Sequence, residues 1–242
     1  MNIFGDYHTH TIYSHGKGTI RDNVEAARDK GLREIAITDH GPGHMTYGVK
    51  RENFKKMRQE IDMLNEEYDD IKILLGVEAN ILSRDGQVDV NEEILGLIDM
   101  LSVGFHFGAK TKTLKDAYDL YYLNFLFKGS EKTVSKRRDI NTKAMINAIN
   151  NYKIDLITHP GAKLIIDVLE VARAAGKRET ALEINAHHGH LSVEELRLVK
   201  NENVKFMINS DAHRKEDVGN VQKAINRAVE VGLDKNKILN IE

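Results

Sequence analysis

Residues 71–80 read IKILLGVEAN, and the fold class can be inferred from this stretch and its recurrence along the chain. The segment Ile71–Val77 is short and rich in Ile and Leu, which predicts a strand that is buried on both faces. It is followed by Glu78, and a carboxylate at the end of a buried strand is costly unless it is paired or bound to a metal. The stretch therefore predicts a covered sheet with a charged site at the carboxyl end of a strand.

Six further segments share this apolar character, and helical patterns alternate with them along the chain. The other predicted strands are Ile3–Tyr7, Glu34–Thr38, Asp99–Phe105, Ile154–Thr158, Ala181–Asn185 and Val204–Asn209. The predicted helices are Asp22–Lys30, Arg51–Glu67, Asn91–Gly96, Asn141–Asn151, Lys163–Gly176, Ser192–Lys200 and Lys215–Val231. Strands that alternate with helices imply parallel strands joined by crossovers. This pattern predicts an α/β fold, a seven-stranded (β/α)7 TIM-like barrel, and a doubly wound open sheet is the alternative.

Two of the helical segments carry clear local signals. The segment Arg51–Glu67 has apolar residues spaced by three and four positions, which is typical of an amphipathic helix. These residues are Phe54, Met57, Ile61 and Leu64. Ser192 followed by Glu195, just before an apolar run, predicts a capping box at a helix start.

The composition limits the classes of protein to which the chain can belong. With 242 residues, 41% of them hydrophobic, it can form one large domain, residues 1–242, with a sizeable core. The formal net charge of -2 gives no general attraction to nucleic acid or to acidic membranes. The sequence has no cysteine, so any metal must be held by nitrogen and oxygen ligands. Neither a signal peptide nor a membrane-spanning run is evident, and we expect a soluble, cytoplasmic protein.

One segment interrupts the alternation of strands and helices. Gly108–Asp139 separates a strand from the next helix by far more than the usual connection of about two to six residues, and we interpret it as an insertion at about 108–139. It contains an aromatic run and then a basic run: Tyr118, Tyr121, Tyr122, Phe125 and Phe127, then Lys128, Lys132, Lys136, Arg137 and Arg138. An extra packed helix, a subunit contact that allows oligomerisation, and a lid over the active site are the three interpretations left open.

Candidate metal ligands follow the predicted strands. They are His8, His10, His15, His40, Glu78, His106, His159, Asp211 and His213. In a parallel barrel the carboxyl ends of all strands meet at one rim, where the catalytic groups of such barrels lie. The pairs His8 with His10 and Asp211 with His213 are each two residues apart, so each pair lies on one side of an extended segment. A single His-x-His pair is weak evidence, whereas nine such residues at one rim predict a metal site.

Nine candidate ligands are more than one ion can accept. Zinc takes about four ligands and keeps one position open for water when it is catalytic. Nine ligands with one bridging carboxylate suit three divalent ions completed by water or hydroxide. The excess positive charge would attract a phosphate dianion and lower the pKa of bound water towards about 7. The site therefore predicts hydrolysis of phosphate esters by metal-activated hydroxide.

The motifs that carry these ligands are those of a known family. They are His8-Thr-His10, Thr38-Asp39-His40-Gly41, Gly76-Val77-Glu78-Ala79-Asn80, Gly104-Phe105-His106, Thr158-His159-Pro160-Gly161 and Ser210-Asp211-Ala212-His213. In this order they resemble the polymerase and histidinol phosphatase (PHP) family, most closely its small stand-alone YcdX-like phosphatases. The resemblance covers nearly the whole chain except Gly108–Asp139. It implies a distorted seven-stranded barrel with three divalent metal ions, which can be Zn, Mn or Fe.

The resemblance also implies roles for single residues. One ion would be held by His8, His10, Glu78 and Asp211, a second by Glu78, His106 and His159, and a third by His15, His40 and His213. Asp39 would orient a ligand or manage a proton, so catalytic roles are assigned to Asp39, Glu78 and Asp211. The loop from His10 to His15 is one residue shorter than in the relatives of this kind.

Other residues in the predicted rim loops are candidates for binding the substrate. They are Lys17, His44, Arg84, Lys163, Asn185 and His188. Each could contact the phosphate or the leaving group, although a solvated loop residue is the more common interpretation of such a position. Asn185 has the better claim, because its amide would face the site at the end of a strand.

Three functions compete at this point. The first is a phosphatase that acts on a small phosphorylated metabolite. The second is a phosphodiesterase or 3′–5′ exonuclease that acts on nucleic acid or nucleotides, for which the basic and aromatic residues after Gly108 could follow a backbone, although the net charge argues against it. The third is a non-catalytic module that retains metal, which the match at every ligand position disfavours.

Overall fold

Seven parallel strands form a single sheet that curves into a nearly closed barrel. The computed structural model of the chain describes residues 1–126 and 131–242. The strands are β1 (Gly5–Asp6), β2 (Glu34–Ile37), β3 (Lys72–Asn80), β4 (Met100–Gly104), β5 (Leu156–Ile157), β6 (Ala181–Asn185) and β7 (Phe206–Asn209). They pair in sequence order, each parallel to the next. This order confirms the predicted (β/α)7 barrel and excludes the doubly wound sheet, in which the strand order would reverse.

The first and last strands meet through a few hydrogen bonds rather than through a full ladder. At the carboxyl end the backbone N–H of His10 donates to the carbonyl of Ala212 at 2.8 Å, and the N–H of Ala212 donates to the carbonyl of His8 at 3.2 Å. At the opposite end the buried Asn240 side chain bonds to the backbones of Gly5 and Ile208. These contacts close the barrel next to the loops that come after β1 and β7.

The helices surround the sheet and cover its outer face. They are α1 (Ile20–Asp29), α2 (Arg51–Glu67), α3 (Glu92–Leu95), α4 (Leu114–Asp116), α5 (Leu123–Leu126), α6 (Glu131–Asn151), α7 (Val168–Lys177), α8 (Val193–Val199) and α9 (Gln222–Glu230). A π-helical segment, Ala117–Tyr122, and two 3₁₀ turns, Lys215–Asp217 and Lys235–Lys237, complete the helical structure of the described residues. None of the helices in this part of the chain combines the length and the apolar character that crossing a bilayer requires.

Local sequence signals are confirmed where they were strongest. The predicted apolar stripe of α2 is buried at all four positions. Ser192 and Glu195 form the predicted capping box at α8, because each side chain accepts a hydrogen bond from the other residue's backbone N–H, at 3.2 and 2.7 Å.

Three predicted helix boundaries were wrong. Helix α6 begins at Glu131 rather than at Asn141. Helix α7 begins at Val168 rather than at Lys163, which has a φ of 64° that a right-handed helix cannot contain. The predicted helix Lys215–Val231 is divided into a 3₁₀ turn and α9, and Gly219, with a φ of 68°, lies between them.

The segment Gly108–Asp139 packs behind the loop after β4. The Tyr121 hydroxyl donates to the carbonyls of His106 and Ala109, at 3.2 and 2.7 Å. The later part of the segment is continuous with α6, which carries the basic residues Lys132 to Arg138. Phe127 and Lys128 of the predicted aromatic and basic runs lie outside the described residues.

Candidate metal centre

The barrel rim brings all nine predicted ligands together. His8 and His10 follow β1, His40 follows β2, His106 follows β4, His159 follows β5, and Asp211 and His213 follow β7. Glu78 lies within β3, which extends to Asn80 and is longer than the sequence indicated. His15 lies in the loop between β1 and α1.

The donor atoms of the four side chains in the first predicted set lie close to the two imidazoles of His8 and His10. His8 Nε2 lies 3.1 Å from His10 Nε2, 3.4 Å from Glu78 Oε1 and 3.5 Å from Asp211 Oδ1. His10 Nε2 lies 3.6 Å from Glu78 Oε2 and 3.4 Å from Asp211 Oδ1. An ion with four ligands at about 2.0–2.1 Å has ligands about 3.3–3.4 Å apart in a tetrahedral arrangement. His8, His10 and Glu78 therefore lie close enough together to share one divalent ion, and Asp211 lies within 3.5 Å of both imidazoles.

Three donor atoms form a second compact set, which shares Glu78 with the first. Glu78 Oε1 lies 3.3 Å from His106 Nε2 and 3.0 Å from His159 Nε2, and the two nitrogens are 3.4 Å apart. This triangle has the dimensions of one face of such a tetrahedron. A fourth position would stay open for water or substrate, as in catalytic zinc sites.

The third predicted set is arranged differently from the first two. His15 Nε2 and His213 Nε2 are 2.6 Å apart, and the His15 ring stacks on His40 with ring centres separated by 4.8 Å. His40 Nδ1, however, lies 3.1 Å from Glu78 Oε2. His40 is therefore placed between the third set and the bridging carboxylate, an orientation that strand-end spacing does not reveal.

Glu78 is fully buried at the centre of this arrangement. Five imidazole nitrogens lie within 3.0–3.6 Å of its two oxygens. Among the described residues, neither oxygen has a hydrogen bond of good geometry. Burial alone would raise the pKa of Glu78, but the neighbouring imidazoles of His106, His8 and His40 hold it well below its usual range. A buried carboxylate with no conventional donors is the chemistry of a group that binds cations.

Several of the imidazoles are held in the neutral form. Burial and the neighbouring His10 and His213 lower the pKa of His15 to about 3. Burial and the neighbouring His10 lower the pKa of His213 to about 4. Burial also holds the pKa of His40 well below its usual value. Neutral imidazoles keep a lone pair for a metal ion, so the donor set fits divalent cations.

Sequence reasoning missed Glu183, which supports the first and second sets. This fully buried carboxylate accepts from His8 Nδ1 at 2.8 Å and from the backbone N–H of His159 at 2.6 Å. The amides of Asn185 and Asn209 donate to it at 2.9 and 3.0 Å. An acceptor on the outer nitrogen of a metal-binding histidine fixes its tautomer and ring orientation. The available signal was a carboxylate inside the apolar strand Ala181–Asn185, on the same face as Asn185.

Asn80 supports the second set in the same way. His106 Nδ1 and Asn80 Oδ1 are 2.9 Å apart, so the ring N–H can donate to the amide. The Asn80 amide in turn donates to Asp89 at 2.6 Å, and its backbone N–H donates to the same carboxylate at 2.8 Å. The ligand His106 is therefore held by a buried chain of polar contacts.

Asp39, to which the resemblance assigned a catalytic role, contacts the loop that carries His15. Its carboxylate accepts from the backbone N–H and hydroxyl of Thr11, at 2.8 and 2.5 Å, and from the Ser14 hydroxyl. This geometry supports an orienting role through the loop from His10 to His15.

The candidate substrate-binding residues fall into two groups. Three are committed to protein contacts: His44 bonds through Nε2 to the carbonyl of Phe107 at 3.0 Å, Arg84 pairs with Asp119 at 3.2 Å, and Asn185 donates to Asp211 at 3.1 Å. The other three face the rim: Lys17 and Lys163 are exposed, and His188 Nε2 lies 3.4 Å from Asp211 Oδ2.

Comparisons with known proteins agree with this geometry. A family model for the PHP domain matches residues 6–187. The chain is 33% identical to a probable phosphatase of Shewanella sp. (strain MR-4), over 97% of this chain and 86% of that protein. It is also 30% identical to the DNA polymerase/3′-5′ exonuclease PolX of Bacillus subtilis (strain 168), over 98% of this chain but only 39% of the polymerase.

A solved structure shows the same fold. The histidinol phosphate phosphatase of Lactococcus lactis subsp. lactis Il1403, in complex with zinc, L-histidinol and phosphate, superposes with a TM-score of 0.67. Its identity to this chain is 18%, and the superposition covers 97% of this chain and 95% of the other. The family model, the curated relatives and the arrangement of nine ligands at the barrel rim together establish that the chain belongs to the PHP-domain family.

Proposed function

We propose that the chain is a phosphatase that hydrolyses a small phosphorylated metabolite with the help of three divalent metal ions. Membership of the PHP-domain family makes it a metal-dependent hydrolase of phosphate esters. The proposal adds the number of ions, the role of each residue and the size of the substrate. The observation that carries it is the cluster of five imidazole nitrogens within 3.0–3.6 Å of the buried Glu78 carboxylate.

The protein's own residues have defined tasks in this proposal. Glu78 bridges the first and second sets, and Asp211 completes the first. His106 and His159 leave one position of the second set open. His188, close to Asp211, lies where it could contact the leaving group. Bound divalent ions would lower the pKa of water to about 7 and would stabilise the charge of the attacking and leaving oxygens.

The donor chemistry restricts the metals without selecting one. Imidazole and carboxylate ligands suit zinc, manganese and iron, and the sequence offers no thiolate. The fold neighbour from Lactococcus lactis holds zinc, so zinc is the first metal to test.

Charge supports a phosphate monoester as the substrate. Three divalent ions would bring more positive charge than Glu78, Asp211 and one hydroxide offset, and the remaining excess suits a phosphate dianion. Histidinol phosphate belongs in the substrate panel, because the same fold neighbour holds L-histidinol and phosphate.

The test is a substrate panel with the metal content known. Purified chain is loaded with zinc, manganese or iron, its metal content is measured, and phosphate release is followed for monoesters and for a phosphodiester. We expect turnover of at least one monoester, three ions per chain and loss of activity on chelation. Inactivity towards every monoester, with metal shown to be bound, would overturn the proposal.

One relative supports a second candidate function. The match to the polymerase and exonuclease of Bacillus subtilis extends over 98% of this chain, which supports a phosphodiesterase or 3′–5′ exonuclease as the alternative. An assay with single-stranded DNA as the substrate distinguishes the two functions. Degradation of the strand, with an affinity that falls steeply with salt, would favour the exonuclease.

A further inference from the structure

The rim beside the third donor set carries two cations, Lys17 and Arg214, whose side chains form no ion pair with the carboxylates of the described residues. Lys17 lies two residues after His15, and Arg214 directly follows His213. The backbone N–H of Lys17 donates to the carbonyl of His213 at 2.8 Å, so the loops that hold these two ligands are joined. Any group bound beside Lys17 and Arg214 is therefore a neighbour of the metal centre.

These residues line a cavity of about 400 Å³. Its lining residues are Lys17, Gly18, Asp22, Arg214, Lys215 and Glu216. The cavity lies between the loop that leads into α1 and the loop after β7, on the same rim as the metal ligands. Its size suits a small charged group rather than a whole polymer.

The charges in the cavity are not balanced internally. Asp22 is occupied, because it accepts from the backbone N–H and hydroxyl of Thr19 at 2.8 and 2.7 Å and lies 3.8 Å from Lys215. Throughout the part of the chain that the structure describes, the side chains of Lys17 and Arg214 have no hydrogen bond or ion pair. With Lys215, Asp22 and Glu216 included, the lining has three cations and two carboxylates, and Lys17 and Arg214 are the cations available to a ligand.

Arginines on the adjacent helix α1 form ion pairs, in contrast to Arg214. Arg21 of α1 bonds to Glu67 at 2.7 Å, and Arg28 of α1 bonds to Asp70 at 2.8 Å. The chain as a whole has a formal net charge of -2, so the excess positive charge of the cavity does not result from a basic composition. Guanidinium groups bind phosphate and carboxylate through two parallel hydrogen bonds.

We propose that this cavity binds a second anionic group of the substrate. The inference rests on the proposed phosphatase function and narrows it: the substrate is a phosphomonoester that also carries a second phosphate or a carboxylate. One phosphate lies at the metal ions, and the second anion lies between Arg214 and Lys17. A second phosphate and a carboxylate would both supply a negative group. The substrate comparison determines which of the two the cavity binds.

The test compares substrates that differ in one charged group. Fructose 1,6-bisphosphate is paired with fructose 6-phosphate, and 3-phosphoglycerate is paired with glycerol 3-phosphate. The ratio of kcat/KM within each pair is measured for the metal-loaded full chain. We expect the member with two anionic groups to be preferred by at least about 10-fold in one pair, the range of one charged hydrogen bond. The first pair reports a second phosphate and the second pair reports a carboxylate.

Variants locate the preference in the cavity. Arg214→Ala should reduce the preference about 10–100-fold while the ester with a single anionic group is affected much less, and Arg214→Lys should retain part of the preference. Glu216→Gln removes a negative charge from the cavity and should increase the preference by about 2–5-fold, a gain that a misfolded variant could not show. Lys110→Ala, at an exposed lysine after β4 that does not line the cavity, is the matched control and should leave the ratio unchanged.

The outcomes separate this inference from the function on which it rests. Efficient hydrolysis of monoesters with ratios near one, unchanged in Arg214→Ala, overturns the second anion site and leaves the phosphatase intact. Inactivity towards all esters, with metal bound, overturns both. An equal loss with Arg214→Ala and Lys110→Ala would show a general effect of rim charge and would also reject the cavity.

Discussion

Glu78 is a fully buried carboxylate whose oxygens face five imidazole nitrogens at 3.0–3.6 Å. Such a group is costly in a protein interior unless positive charge lies close to it. Part of that charge comes from imidazole protons, since burial lowers the pKa of His8 but Glu183, Asp211 and Glu78 raise it well above its usual value. Divalent ions would take the place of those protons.

The substitution Glu78→Gln tests the bridging role directly. It preserves shape but removes the charge shared by two donor sets, so we expect at least two ions to be lost and kcat/KM to fall more than about 100-fold. Metal content by elemental analysis and phosphate release are the measurements. Glu66→Gln, at an exposed position of α2, is the control. A Glu78→Gln protein with full metal content would contradict the assignment.

Glu183 should affect metal binding without contacting the substrate, because it holds the metal-binding ring of His8 in place. In Glu183→Gln the His8 ring loses a charged acceptor that lies 2.8 Å from Nδ1, and metal affinity should fall about 10–100-fold. Competition with a chelator of known affinity measures this change independently of turnover. Glu170→Gln on the exposed side of α7 should leave the affinity unchanged, and equal affinities in both variants would reject the role of Glu183.

Single residues also show how far the sequence can be interpreted. The meeting of nine side chains at one rim is a consequence of parallel topology, since every one of them lies at or after the carboxyl end of a strand. Glu183 was missed because it lies in the interior of a predicted strand, whereas the nine predicted ligands lie beyond the predicted strand ends. The direction of His40 Nδ1 towards Glu78 depends on a side-chain rotamer, which no spacing rule specifies.

At the scale of elements, helix α9 holds the loop between β6 and α8 in place. Arg227 of α9 is half-buried and donates to backbone carbonyls of that loop, to Leu191 at 2.9 Å and to Asn185. The same loop carries His188, which faces Asp211 across the site. A helix on the outside of the barrel thus supports a loop on its catalytic rim.

Replacing Arg227 by Ala should therefore destabilise the protein and disturb the site together. Loss of bonds to buried carbonyls should lower the free energy of unfolding by about 2 kcal/mol. Urea denaturation measures this value. Arg197→Ala removes an ion pair with Glu230 whose side chains are 55% and 56% exposed, and it should cost less than about 0.5 kcal/mol. Equal losses in the free energy of unfolding would show that the contacts of Arg227 stabilise the protein no more than an exposed ion pair does.

Element boundaries were predictable only where the local signal was complete. Helix α2 matched its prediction from Arg51 to Glu67, because its amphipathic stripe is continuous. The start of α7 was wrong, because the turn that contains His159 and Lys163, with φ values of 26° and 64°, is imposed by the loop and has no glycine at those positions. Tertiary context determined these ends.

At the scale of the whole molecule, the barrel is complete only when the two ends of the chain meet. Asn240 accepts from the backbone N–H of Ile208 at 2.9 Å and donates to the carbonyls of Gly5 and Ile208, at 2.9 and 2.7 Å. Its side chain thus joins β1 to β7 below the metal centre. We infer that residues 1–242 behave as one domain, because the C-terminal residues complete the sheet that begins at Gly5.

Asn240→Ala should weaken this closure. The substitution leaves buried backbone groups without partners, so the free energy of unfolding should fall by about 3 kcal/mol and Tm by about 6–12 °C. Calorimetry provides the measurement. Asn236→Ala, at an exposed position in the same terminal segment, should change Tm by no more than about 2 °C. If both variants melt like the parent protein, Asn240 does not close the barrel.

The metal ions should stabilise the whole barrel, because their ligands come from six of the seven strands and their loops and are brought together only in the folded chain. Ligands that bind only the folded state stabilise it by about 4 kcal/mol at a thousand times their Kd, so removal of the ions by a chelator should lower Tm by about 8–16 °C. Adding metal back should restore Tm in the parent protein but much less in Glu78→Gln. Titration should reach three ions in the parent protein and two in His15→Ala, since His15 belongs to the third set alone. A melting temperature that is the same with and without metal would mean that the nine side chains do not bind ions in the folded state, and the proposed mechanism would then have no basis.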